Sequence, residues 1–143
     1  MIYKNIPEKF ESRFEIVSCF LENGKEILIL HRCEDKSEGN RWGVPAGKIE
    51  EGESLLEAII REIREETGQK ILPIQLEYLT KVYVKYPEYD FVYHMFRTEL
   101  NKRPDIKLNY KEHKAYQWIS ASESLKLNLV RGLDQCIRMF YKV

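Results

Sequence analysis

The sequence is poor in the features that would commit it to a special class. Only three cysteines occur, Cys19, Cys33 and Cys136. Their odd number and the lack of a C-x-x-C pair argue against a disulfide framework or a zinc site. Cys19 and Cys136 fall in apolar patterns and are expected in the core, whereas Cys33 follows His31-Arg32 with no partner base to activate it. No run of about 18 apolar residues is present that could span a membrane. Met1 to Ser12 carries no apolar stretch of the signal-peptide kind, so the expectation is a cytoplasmic protein with no membrane partner. Net charge is missing as well. Lys+Arg and Asp+Glu balance at 23 each, which removes the global basic field behind non-specific nucleic-acid binding and leaves room only for a local basic groove. There is no internal repeat and no low-complexity tract.

What the chain does have is enough apolar material for one core. Its 143 residues are a single-domain length, and 43% hydrophobic with 12% aromatic residues can fill it. Phe14 to Leu21 and Glu26 to Arg32 read as strands joined through Glu22-Asn23-Gly24-Lys25, where Asn-Gly is a strong hairpin signal. Trp42 to Ile49 reads as a short strand, a turn and another short strand. Runs near Ile71 to Lys85 and Asp90 to Leu100 flank a Tyr86-Pro87-Glu88-Tyr89 turn and suggest a second hairpin. After a loop from Asn101 to His113, Ala115 to Ile119 is a short strand and Ser120 with Glu123 caps a helical turn. Leu129, Val130, Leu133, Ile137 and Phe140 mark a closing amphipathic helix. Strand pairs with a helix midway and another at the end predict an α/β chain with a mixed sheet covered on both faces.

The midway helix is the most informative segment. Ser54 and Glu57 form a capping box ahead of an apolar run and Gly68 supplies the stop, which leaves Glu53 in the preceding loop. At about 100° per residue, Leu55, Leu56, Ile59, Ile60 and Ile63 make one stripe and Arg61 projects opposite it. Glu66 falls inside the apolar arc, Glu62 at its edge and Glu65 to one side. Like charges three and four residues apart repel by roughly 0.2–0.5 kcal/mol per pair even when exposed. Half-buried carboxylates cost more, so either they are protonated or a divalent cation balances them. Helix geometry alone leaves a second reading open, in which Arg61 and Arg64 are counterions on an ordinary charged helix.

From Gly47 to Gln69 the chain resembles the Nudix box. The matching residues are Gly47, Glu53, Arg61, Glu62, Ile63, Glu65, Glu66 and Gly68, with Gln69 departing from the aliphatic residue that closes the pattern. At ordinary residue frequencies a chance match is on the order of one in 10⁸ per window. Trp42-Gly43-Val44-Pro45-Ala46 resembles the segment that leads into the box, with Ala46 where many members carry a second glycine. The resemblance implies a single Nudix domain over residues 1–143, folded as an α/β/α sandwich. It also implies Mg²⁺- or Mn²⁺-dependent hydrolysis of a nucleoside diphosphate linked to another moiety. Many members of the family dimerise, which extends to this chain as an expectation of a homodimer.

Residue by residue, the resemblance makes Glu62 and Glu66 direct metal ligands and Glu65 a third ligand or the group that orients the water. The backbone carbonyl of Ala46 is a further ligand. Arg61 is expected behind the metal face, bridged to Glu53, which acts from an outer shell or on a second metal. Glu112-His113 ahead of Tyr116-Gln117-Trp118 resembles the acid-bearing loop of several members and makes Glu112 a candidate base, with His113 expected to pack or be solvated. Arg32, Arg41 and Lys48 are candidate phosphate contacts. Trp42, Tyr83, Tyr86, Tyr89 and Tyr93 are candidates for a base-stacking wall. Besides a small-molecule pyrophosphohydrolase, two other classes are compatible: a nucleotide-binding sensor domain, disfavoured by the retention of all four box glutamates, and an enzyme acting on the 5′ end of RNA, disfavoured by the neutral charge.

Overall fold

Alternation along one strand divides the molecule into layers. In the computed structural model, which describes residues 1–143, β2 (Ser12–Asn23) directs Val17, Cys19 and Leu21 to one face of the sheet and Phe20 to the other. The first face is covered by α1 (Leu55–Thr67), which buries Ala58, Ile59 and Ile63 against it. The second is covered by α3 (Leu133–Tyr141), which buries Leu133, Cys136 and Ile137. The result is the expected mixed sheet between helices, with a separate apolar core on each side. No helix is long and apolar enough to cross a membrane.

The sheet contains β1 (Ile2–Tyr3), β2, β3 (Glu26–Arg32), β4 (Trp42–Gly43), β5 (Ala46–Lys48), β6 (Glu77–Lys85), β7 (Asp90–Glu99) and β8 (His113–Ser120). β6 and β7 form the expected hairpin, β1 adds to β6, and β7 runs parallel to β2. β2 and β3 pair only beside their turn, at Glu22↔Ile27 and Asn23↔Glu26, and then part. The fork admits the segment between them: β5 pairs with β2 at Ile16 to Ser18, and β4 pairs with β3 at Leu30 and His31. β8 takes the other edge of β3.

Several boundaries differ from the sequence reading. The strand expected from Ile71 begins at Glu77, because Pro73–Gln75 form a 3₁₀ turn first. The closing helix begins at Leu133, with Leu129 and Val130 in the approach to it, and a four-residue helix α2 (Ala121–Ser124) follows the Ser120 cap. In α1 the stripe is narrower than the wheel suggested. Leu56 is exposed and Ile60 half-buried, while Ala58, Glu62 and Glu66 extend the buried face on its other flank.

Both ends of α1 follow the sequence signals. Ser54 accepts from the Glu57 amide while Glu57 accepts from the Ser54 amide, and Gly68 closes the helix at φ 77°. The departure at Gln69 is absorbed two residues later. Gln69 donates to the Asp105 carbonyl at 2.8 Å, and Ile71, 5% exposed, fills the helix-side core. Ser54→Ala is expected to lower stability by about 1 kcal/mol, or about 2–5 °C in melting temperature. An unchanged denaturant midpoint would show that the cap contributes nothing.

Candidate active site

The site forms at the fork between β2 and β3, where β5 hands the chain to α1. Gly47 lies in β5 directly under Glu62: a Cβ at position 47 would stand 2.2 Å from the Glu62 carboxyl carbon. Glycine therefore serves close approach here, since any side chain would displace the Glu62 carboxylate, and not an unusual backbone angle. Ala46 is not among the residues with positive φ, so alanine is compatible there. Its amide donates to Glu66 Oε1 at 3.2 Å. In a strand the N–H and C=O of one residue emerge on the same edge, so the Ala46 carbonyl faces the acids too.

Arg61 is the hub. Nε and Nη2 grip the two carboxylate oxygens of Glu53 at 2.6 and 2.9 Å, and Nη2 also donates to the Lys48 carbonyl at 3.1 Å. Nη1 reaches Glu62 Oε1 at 2.7 Å and Glu65 Oε2 at 3.3 Å. The bridge to Glu53 matches the sequence reading, but the placement of Arg61 wholly behind the acids does not. Its long side chain folds back along the helix so that the guanidinium lies among them.

The acids divide by environment. Arg61, helped by the Glu50 amide, holds the Glu53 carboxyl down to about 2. Glu66 is 2% exposed, and burial, then the charge of Glu62, push its carboxyl well above the ordinary range, against the Ala46 amide. Burial raises Glu62 as well, with Arg61 opposing. Arg61 at 2.7 Å opposes the rise at Glu62, so Glu66 is the more strongly raised of the two. Glu65 has a side chain 54% exposed and stands at the rim. Buried carboxylate oxygens, a backbone carbonyl on the same edge and a cradle shaped by Gly47 are a donor set that fits a hard divalent cation.

Glu62 and Glu65 line a cleft of about 590 Å³ together with Ala46, Lys48, Arg32, Glu112 and His113. Glu112 belongs to the turn before β8, and His113 is 2% exposed, its ring pushed down to about 4 by burial and then by the charge of Arg32. The opposite wall is aromatic: Tyr86, Tyr89, Phe91 and Tyr93 from the β6–β7 hairpin, with Val130, Arg131 and Gly132 at the approach to α3. Lys48 Nζ lies 4.2 Å from the centroid of the Phe14 ring, which stacks on Phe91 of this wall.

Three proposed contacts do not line the cleft. Arg41 pairs with Glu38 at 3.0 Å, and Trp42 stacks face to face on His31, 4.3 Å between centroids, as part of the α3-side core. Tyr83 packs edge-on against Phe10 instead of joining the wall. Conversely, Glu38 and Arg131 were missed. Glu38 accepts from the Arg131 amide at 3.1 Å and from its Nε at 2.9 Å, tying the 33–41 loop to the approach to α3, while the Arg131 guanidinium lies 3.9 Å over the Tyr86 ring. The two are 93 residues apart, and only the φ of 56° at Glu38 marks the position locally.

The sequence model of the NUDIX domain matches residues 13–140. The chain belongs to the Nudix family. A nudix hydrolase of Caenorhabditis elegans is 32% identical over 111 residues, 76% of this chain and 28% of the relative. The CTP pyrophosphohydrolase of Escherichia coli is 28% identical over 117 residues, 80% of this chain and 82% of the relative. A crystal structure of a MutT protein from Methanosarcina mazei superposes with a TM-score of 0.79 at 28% identity, covering 90% of this chain and 93% of that one. This Nudix chain thus spans less than a third of the C. elegans protein but most of the other two.

The opposed pKa shifts set opposite pH dependences in the cation-free protein. Glu53, held down, adds stability that is present above the ordinary glutamate pKa and is lost as pH falls toward 2. Glu66, pushed up, keeps a proton that the unfolded chain has released, so stability falls as pH rises from the ordinary glutamate pKa toward its own. Glu66→Gln is expected to remove the second dependence, denaturing at higher urea than wild type near about pH 7 and together with it near about pH 4. Parallel stability curves for the two proteins would refute this.

Proposed function

We propose that this chain is a divalent-cation-dependent pyrophosphohydrolase that cleaves a nucleoside diphosphate linked to another group by attack of water on phosphorus. One observation carries the reading: Arg61 gathers Glu53, Glu62 and Glu65 beside the buried Glu66, and Glu62 and Glu65 line a cleft that also has an aromatic wall. That arrangement suits a ligand with a charged polyphosphate and a flat base. The name of the CTP pyrophosphohydrolase relative describes a ligand of that kind, and retention of Glu53, Glu62, Glu65 and Glu66 favours catalysis over sensing.

In this reading the Ala46 carbonyl, Glu62 and Glu66 hold Mg²⁺ or Mn²⁺, with Glu65 a further ligand or the group that orients the water. A bound cation neutralises phosphate charge and acidifies a coordinated water. Arg61 is a positioning residue, fixing the direction of the Glu62 carboxylate and anchoring Glu53 behind it. Arg32 and Lys48, which line the cleft, are the cations available to phosphate oxygens, and Tyr86, Tyr89 and Tyr93 stack on the base. Glu112, facing the same space from the turn before β8, accepts the proton from water.

The test is hydrolysis of nucleoside triphosphates, nucleotide sugars, dinucleoside polyphosphates, ADP-ribose and triphosphorylated RNA with and without Mg²⁺. Cation-dependent release of phosphate, pyrophosphate or a nucleoside monophosphate from a small nucleotide is expected. Nucleotide binding without any turnover would favour a sensor, and turnover confined to RNA would favour an end-processing enzyme. Glu62→Gln and Glu66→Gln should each lower kcat/KM by about a hundredfold or more with the fold retained. Near-wild-type turnover in both would end the metal-ligand assignment.

A further inference from the structure

His113 has no structural employment that accounts for its burial. It opens β8, is 2% exposed, and its ring makes no hydrogen bond: Nδ1 is buried without a partner, and Nε2 stands 3.8 Å from Glu66 Oε2, beyond hydrogen-bond reach. Buried polar rings are normally satisfied, so a ring with Nδ1 unpartnered and Nε2 just short of a buried carboxylate points to a missing third party.

The backbone there is fixed. The amides of Glu112 and His113 both donate to the Asn109 carbonyl at 2.9 Å, and the Glu112 carbonyl accepts from the Cys33 amide at 2.9 Å. One ligand atom each from Glu66, Glu112 and His113 lies within 4.8 Å of the other two. Donors about 2.1 Å from a shared ion stand about 3.0–4.2 Å apart, a range that the 3.8 Å between His113 Nε2 and Glu66 Oε2 already meets. The Glu66 carboxylate is placed to serve two neighbours, with Oε1 turned to the Ala46 amide and Oε2 to His113.

We propose that His113 is a direct metal ligand, completing with Glu66 and Glu112 a nitrogen-containing cation site that prefers Mn²⁺ or Co²⁺ to Mg²⁺. The site deepens the metal-dependent reading given above and rests on it, because Glu66 is common to both donor sets. An imidazole nitrogen adds a ligand that first-row transition ions accept more readily than hard Mg²⁺. In this site Glu112 would serve as a ligand through one carboxylate oxygen, leaving the other free to accept a proton.

Pulsed electron paramagnetic resonance on the Mn²⁺-loaded full chain tests the assignment without relying on turnover. The natural-abundance protein should show ¹⁴N modulation that changes to that of ¹⁵N when histidine alone is labelled. The signal should persist in His31→Gln and His94→Gln and disappear in His113→Gln. Titration should show Mn²⁺ affinity falling at least about tenfold in His113→Gln, with Mg²⁺ affinity within about twofold of wild type. Should His113→Gln fail to fold, persistence of the labelled-histidine signal in the other two variants assigns it to His113. Mn²⁺ bound without nitrogen modulation, or modulation lost in His31→Gln or His94→Gln, overturns this proposal and leaves the box-acid reading standing. A wild-type chain that binds no Mn²⁺ overturns both.

Discussion

One guanidinium makes the rest of the site possible. Glu53, Glu62 and Glu65 all lie within 3.3 Å of Arg61, and the same group is tied to the Lys48 carbonyl of β5. A planar fork with five donors can serve several carboxylates and a backbone oxygen at once, which a lysine ammonium could not do with the same geometry. By linking helix to strand, Arg61 fixes where Glu62 points, and Gly47 leaves room for it there. Glu66 lies outside this grip. Burial and the charge of Glu62 raise its pKa, and the Ala46 amide opposes them.

The fork between β2 and β3 supplies the space. Had the two strands paired along their full length, β5 could not have joined β2, and the Ala46 and Gly47 backbone would not stand beside α1. The unpaired edge of β5 then presents polar backbone groups to the acids. A strand edge is ordinarily a liability in a sheet. Here it is the floor of the cleft.

Local sequence signals reported the local parts of this arrangement. The capping box at Ser54, the stop at Gly68, the hairpins and the burial of Glu66 all follow from spacing within one element, and the structure has them close to where the residues indicate. The helical wheel misplaced Arg61 because it gives the direction of a Cα–Cβ bond, whereas a long side chain can return across its own helix. It also widened the buried stripe to Leu56, which the neighbouring strands do not reach. Arg41 and Trp42 read as site residues from proximity in sequence to the box, yet Glu38 and His31 engage them elsewhere. Nothing local could have joined Glu38 to Arg131 or shown that the ring of His113 lacks a partner.

The two halves of the cleft differ in how they are encoded, and this explains why chemistry is easier to read than specificity. The acid half comes from one stretch, Ala46 to Glu66, in which a strand edge, a loop and a helix are consecutive and their geometry is set by short-range rules. The aromatic half is assembled from the β6–β7 hairpin, the 33–41 loop and the approach to α3, which meet only in the folded chain. Substitutions in the first half disturb a charge network whose members constrain one another, so their effects are coupled. Those in the second alter shape and stacking one residue at a time. A scaffold built this way can change the molecule it accepts while keeping the arrangement that Arg61 enforces.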